Sequence, residues 1–339
     1  MNKQLLSQRF KTFAELECHQ SSPLYEYLSC QIANDDELLE ICTFCREGQP
    51  VPNLLFGGVH FILMNDPSHP LRNYYPSLVQ GPLPITESFS HFKDFCLQYK
   101  TQLTHILKTK LVQTNEVRRC SYLYPAFCYI YERTMKPLAL IEIGTSAGLQ
   151  LAWDRYRYKY GSDEKLYGSS TSDVLIASEI KGDNLPKLQS APPPVASRTG
   201  FDLHINTEQD HPWLLALIWP EHSERRELFT SAAKMTKEVE IDFIQGDGVE
   251  SFPDKIKEIP DDHAVCIFHT HVANQIPESS KKELQAKIKE IGSNRDVFHL
   301  YNNIWDRQLH LDCYLNGREE RHVVGDTDGH GNWFQWNLS

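Results

Sequence analysis

The 339-residue sequence predicts an α/β protein in which a mainly helical N-terminal region precedes a mostly parallel sheet that finishes in an antiparallel C-terminal hairpin. Three observations carry this. Across residues 1–135, apolar residues recur at three- and four-residue steps: Leu5, Leu6, Phe10, Phe13 and Leu16, then Leu24, Tyr27, Leu28 and Ile32, then Phe92, Phe95, Tyr99 and Leu103. That is the period of amphipathic helices. From Pro137 onward, short β-rich runs alternate with helical ones, the pattern of a parallel sheet with helices on both faces. Last, Asn316-Gly317 joins LHLDCYL to REERHVV and supplies the positive φ angles of a type I′ hairpin turn.

Taken in order, the helical half is interrupted at PVPN (50–53) and NDPSHPLRNYYPS (65–77), both turn-rich. The expected division is a helical cap at 1–135 and a sheet domain at 136–339 with an insertion at 162–195. LALIEI (138–143) is the first strand, followed by a helix over LQLAWDRYRYKY, in which Leu149, Ala152, Trp153, Tyr156 and Tyr160 fall at helical spacing. VLIASEI, VASRTGFDL, EIDFIQGD, AVCIFHTHV and VFHLYNNI read as strands, with helices around 211–235 and at KKELQAKIKEI. Residues 183–195 are proline-rich and read as a surface loop.

Composition narrows the function classes. The net charge of −11 argues against a general nucleic-acid surface, which needs clustered Lys and Arg. The longest apolar runs are too short to span a bilayer, and the N-terminus lacks a signal peptide's apolar block, so a cytoplasmic location and no membrane partner are expected. Nine cysteines without a second C-x-x-C half read as small buried hydrophobes.

The stretch LIEIGTSAGLQLAWDRYRYKYG holds the central ambiguity. As a ligand cradle, Gly144 allows a sharp turn, Gly148 lets the backbone approach a ligand, and the following helix aims its free N–H groups at it, with Thr145 and Ser146 inside the loop. Glu142 leads into the bend as E-x-G-x-x-x-G, a pattern typical of S-adenosylmethionine sites, and a strand carboxylate with no such role costs several kcal/mol to bury. As a G-x-S-x-G elbow, Ser146 is instead a nucleophile, and Ser146, Asp247 and His330 follow the chain order of a hydrolase triad. The cradle ranks first, a tight structural turn without a ligand second and the elbow last. A hydrolase sheet needs strands before its elbow where residues 1–135 read as helix, and Glu142 has no task in it. Asp202, at the tip of RTGFDL, is the expected ribose ligand, with Glu179 its competitor; Asp247, after EIDFIQ, is the expected adenine ligand.

The chain resembles the bacterial family catalogued as domain of unknown function 2332 in QTNEVRRC (113–120), LIEIGTSAGLQLAWDRYRYKYG, ASRTGFDL, WPEHSERREL (219–228), QGDG and HGNWFQW (330–336). The resemblance implies a Rossmann-like, class I methyltransferase-type fold and keeps His330 among the site residues.

Further candidates lie at the fourth strand's exit, AVCIFHTHVANQ. His269 and His271 are expected to face one side, either as acid–base groups in methyl transfer or as a metal pair with His330 as third ligand; packing or loop-start roles are equally open. Asn274 follows them. Gln113, Asn115, Glu116 and Arg119 form a polar set expected to line the site. GDTDGHGNW lacks a calcium loop's bidentate Glu and reads as a polar turn. The leading expectation is an S-adenosylmethionine-dependent methyltransferase with no bound metal, acting between cap and strand tips on an unknown small molecule or protein. The alternatives are a serine hydrolase and a non-catalytic ligand-binding protein of the same fold.

Overall fold

A computed structural model describes residues 2–162 and 164–338. The chain forms two compact units. One comprises residues up to Thr114 together with Glu208–Glu227; the other comprises Asn115–Thr207 and the residues from Leu228 onward. The sequence-based boundary stood at 135/136, so Asn115, Glu116, Arg119 and the helix Cys120–Thr134 lie with the sheet, and Gln113 with the other unit.

The first unit is helical, with its longest helix at Val51–Asn65. Its aromatic core stacks Tyr25 on Phe56 at 4.1 Å between ring centroids. The three- and four-residue period breaks where a π-helical turn, Ala14–Cys18, extends the first helix. Ala14 and Cys18 are buried there and Leu16 is turned to solvent.

The second unit holds two sheets. The larger takes β1 (Leu138–Ile143), β5 (Val195–Asp202), β6 (Asp242–Gln245), β7 (Ala264–His269), β8 (Val297–Tyr301), β9 (Leu309–Leu315) and β10 (Arg318–Gly325), in the order β10-β9-β8-β7-β1-β5-β6. Strands β6, β5, β1, β7 and β8 pair in parallel in that order; β9 and β10 are antiparallel. The β9–β10 turn has the expected positive φ at Asn316 and Gly317, 52° and 73°. β1 and β7 are buried along their whole length, as central parallel strands must be. Ala139, Ile141 and Ile143 pack into one core with Val249, Phe252, Leu284 and Ile288 of the helices Gly248–Lys257 and Glu278–Gly292. Alternation sends Glu142 to the opposite face, in register with Phe268, whose ring packs edge-on against Phe127. Strand order reverses between β1 and β7, and open α/β sheets bind ligands at the carboxyl ends of strands at such a reversal.

The smaller sheet corrects the reading of residues 149–195. Leu149–Arg155 is a 3₁₀ helix, not the start of an α-helix, and the chain then enters β2 (Arg157–Tyr160). With β3 (Leu166–Gly168), β4 (Leu175–Lys181) and β11 (Trp333–Gln335), β2 forms a sheet in the order β11-β4-β2-β3. Tyr156, Tyr158 and Tyr160 are all buried, so the period here is two. VLIASEI therefore belongs to a second sheet, while 183–194 is free of regular structure as expected.

Candidate functional site

The bend after β1 is held almost entirely by the protein itself. Gly144, Ser146 and Gly148 have φ of 78°, 53° and 72°. The left-handed region costs a non-glycine residue about 1–2 kcal/mol, and Ser146 is kept there by its neighbours. Its N–H donates to Asp202 Oδ2 at 2.8 Å and its carbonyl accepts from the Asn206 N–H. Its hydroxyl oxygen accepts from Asn115 Nδ2 at 2.9 Å and Asn206 Nδ2 at 2.7 Å. The Gly144 and Thr145 N–H groups both donate to the Phe201 carbonyl, at 2.7 and 3.0 Å, tying the bend to β5.

Glu142 is buried at 3% exposure and accepts a hydrogen bond from Thr145 Oγ1 at 2.6 Å. Burial raises its pKa from 4.5 to about 8; the Thr145 bond opposes the rise, Asp202 adds to it and Arg119 opposes it. A near-neutral carboxyl group thus stands under the bend.

The two glycines accommodate side chains of this protein. A Cβ on Gly144 would lie 2.2 Å from Val272 Cγ2, and one on Gly148 would lie 2.7 Å from Phe243 Cζ. Gly144 makes the expected sharp turn, while Phe243 occupies the place at Gly148 where the backbone was expected to approach a ligand. With a 3₁₀ helix following Gly148, the expected α-helical N–H array at Leu149 is absent as well.

The acidic candidates separate. Asp202 ends β5 and Asp247 lies just beyond β6, adjacent strands beyond β1. Asp202 Oδ1 accepts from the His204 N–H, and Asp247 Oδ1 caps the helix Gly248–Lys257 through the Val249 N–H. Glu179 lies exposed in β4, in the other sheet.

At the exit of β7 the H-x-H pair is split, against expectation. His269, the last residue of the strand, is 1% exposed, and its Nε2 meets His299 Nε2 at 3.2 Å. His299 in turn stacks on Tyr301, with centroids 4.3 Å apart. His269 is a core residue, its pKa lowered by burial to about 4. His271 leaves the strand in the left-handed region with φ 61°, its N–H donating to Asn302 Oδ1 at 2.7 Å. Its Nδ1 faces Asn303 Nδ2 at 3.3 Å, which makes Nδ1 the acceptor and leaves the proton on Nε2. Burial, Arg119 and His330 lower its pKa to about 3, so it is a neutral donor rather than a base. The third presumed metal ligand, His330, places Nδ1 3.2 Å from Glu116 Oε2. Among the described residues, no group of three or more His, Cys, Asp or Glu could hold a metal ion.

Arg119 links these parts. Buried at 6% exposure, it donates through Nε to the Gly329 carbonyl at 2.9 Å and through Nη1 to Thr270 Oγ1 at 3.4 Å. Gln150 exchanges bonds with Thr270 at 2.9 and 3.0 Å. Of the sequence candidates, the second unit thus brings together Asn115, Glu116, Arg119, Glu142, Thr145, Ser146, Asp202, His271 and His330, while Asn274 lies further along the β7 exit. Sequence reasoning missed Gln150, Asn206, Thr270, Asn302 and Asn303. The signal at the last two was an Asn pair at a strand tip.

The elbow geometry is not assembled. Ser146 Oγ is held by two amides, Asp247 caps its own helix, and His330 pairs with Glu116. A fluorophosphonate probe is therefore expected to leave the protein unlabelled; labelling that vanishes in Ser146→Ala would contradict this geometry.

A mixed α/β unit with polar groups gathered at parallel-strand tips is the class that fold and site define. The chain belongs to the family described as uncharacterized proteins conserved in bacteria, domain of unknown function 2332, which it matches over residues 7–336. No curated protein matches it. Among the described residues, no helix is long and apolar enough to cross a membrane.

Proposed function

We propose that the second unit is a Rossmann-like, class I methyltransferase-type domain that binds S-adenosylmethionine at the tips of β1, β5 and β6 and methylates a small-molecule or protein substrate. The observation that carries the reading is the placement of Glu142, Asp202 and Asp247 at or just beyond the tips of three neighbouring parallel strands, beginning at the strand-order reversal.

The residues fit such a ligand in their donor chemistry. Asp202 and Asp247 keep lone pairs free beyond the N–H bonds they accept, so hydroxyl and amino groups can still donate to them. Glu142 is the carboxyl group suited to a positively charged centre. When bound, the cofactor supplies an electrophilic methyl group. The reading requires Val272 to swing away from Gly144. A proton released by the substrate goes to His330 rather than His269 or His271. Glu116 accepts from its Nδ1–H, leaving Nε2 as a base on a half-exposed ring.

Calorimetry with S-adenosylmethionine and S-adenosylhomocysteine tests this. The wild type is expected to bind both. Its preference for the sulfonium form should grow as pH rises towards 8.5, because Glu142 then gives up its proton more readily. Glu142→Gln should lose that pH-dependent preference, roughly tenfold in affinity for a lost interaction of about 1.4 kcal/mol. No heat from either ligand with the wild type would remove the reading.

A further inference from the structure

A cavity of about 650 Å³ opens where β7 and β8 end, lined by His271, Asn274, Lys281, Asn303, Trp305 and Arg307 among others. Its size is that of a small-molecule site. We infer that this cavity binds the anionic group, carboxylate or phosphate, of a small organic molecule. The inference does not depend on S-adenosylmethionine.

Charge comes first. Lys281 and Arg307 line the cavity together with one carboxylate, Asp306. Asp306 Oδ1 already accepts from the Gln308 N–H at 2.9 Å and meets His310 Nε2 at 2.8 Å, so its charge is drawn away from the cavity. Lys281 donates to the Ile304 carbonyl at 3.0 Å and keeps a proton to spare, while the Arg307 side chain is exposed. The lining is therefore cationic in a chain whose net charge is −11.

The second observation is independent of charge. His271 lines the cavity, and its Nε2–H is a buried donor with no protein acceptor. Its ring is held in place from behind, since Asn302 Oδ1 accepts from the His271 N–H at 2.7 Å. A buried unsatisfied donor costs about 1–3 kcal/mol, and the positive end of this one is left to favour an anion in the cavity. Arg119, donating to the Gly329 carbonyl beside His271, adds to the same field. The exposed Arg307 guanidinium, a planar fork of donors in the cavity lining, suits a planar or tetrahedral oxyanion.

The experiment is calorimetry on the full chain with inorganic phosphate, phenyl phosphate and benzoate. At least one is expected to bind saturably below 1 mM, on the order of the weak end of specific binding. Phosphate-bearing and carboxylate probes identify which oxyanion the site takes. Arg307→Ala should weaken the binding about tenfold while leaving the unliganded melting temperature unchanged. His271→Gln serves as the second variant and should also weaken it. Failure of all three probes, or binding indifferent to Arg307→Ala, would overturn the inference. Neither result bears on S-adenosylmethionine binding, which is measured separately.

Discussion

Gly144→Ala is expected to destabilise the protein by roughly 2–5 kcal/mol. Two terms add. A left-handed φ of 78° costs an alanine about 1–2 kcal/mol. The new methyl would sit 2.2 Å from Val272 Cγ2, and forcing such a contact in a packed region costs about 1–3 kcal/mol. The terms are separable. Val272→Ala alone should cost little, because Val272 is only partly buried at the margin of the core. In the double variant the two Val272 methyls are gone and only the residue's Cβ, 3.3 Å away, remains. Most of the steric term should then be lost and the conformational term kept, giving a coupling energy of about 1–3 kcal/mol in a double-mutant cycle. Urea titrations of the four proteins measure it. Strict additivity would mean that Val272 does not lie over the bend, and would strengthen the case for an open cofactor site there.

Stability is also expected to peak near pH 6.5 and to fall on both sides, for different residues. His60 and His269 are buried and neutral, with pKa lowered by burial from 6.5 to about 3 and about 4; His299 is lowered well below 6.5. An unfolded histidine takes up a proton that these refuse, so folding loses ground as pH drops below 6.5. At pH 5 His60 and His269 each contribute a loss of about 2 kcal/mol, from 1.36 kcal/mol per pH unit, and His299 acts in the same direction. Glu142 acts in the opposite sense. Its pKa is raised from 4.5 to about 8, so the folded chain holds a proton that the unfolded chain releases. That advantage is full below pH 4.5 and disappears as pH rises through 8, roughly 2 kcal/mol between pH 6.5 and 8. Urea midpoints at pH 5, 6.5 and 8 test both limbs. Glu142→Gln keeps an acceptor for Thr145 and should flatten the alkaline limb; because Glu142 opposes the histidines above pH 4.5, the acid limb should steepen by about 2 kcal/mol between pH 5 and 6.5. An alkaline limb that persists in Glu142→Gln would place the titrating group elsewhere.

The strands of the larger sheet were legible because burial on both faces demands unbroken apolar runs, as in LALIEI and AVCIFH. The closing hairpin was legible because Asn-Gly dictates its turn. The smaller sheet was not. In LQLAWDRYRYKY a helical spacing from Leu149 to Tyr160 competes with the alternation of Tyr156, Tyr158 and Tyr160, and only pairing with β3 and β4 decides for the latter. The bend's carboxylate and its acidic neighbours were readable from local motifs. The fate of His269 was not, since the ring it meets belongs to His299 on the next strand and no local pattern announces it. Val272 over Gly144 is likewise a contact between loops far apart in the chain.

The pairing of Trp333 with Glu179 has a consequence for biosynthesis. β2, β3 and β4 leave the ribosome long before β11 does, so the edge of β4 that β11 covers waits, unpaired, through translation of β5 to β10, all of the larger sheet but β1. Closing so long a loop carries a high entropic cost. Until it closes, the nascent chain displays a bare strand edge of the kind chaperones shield and aggregation exploits.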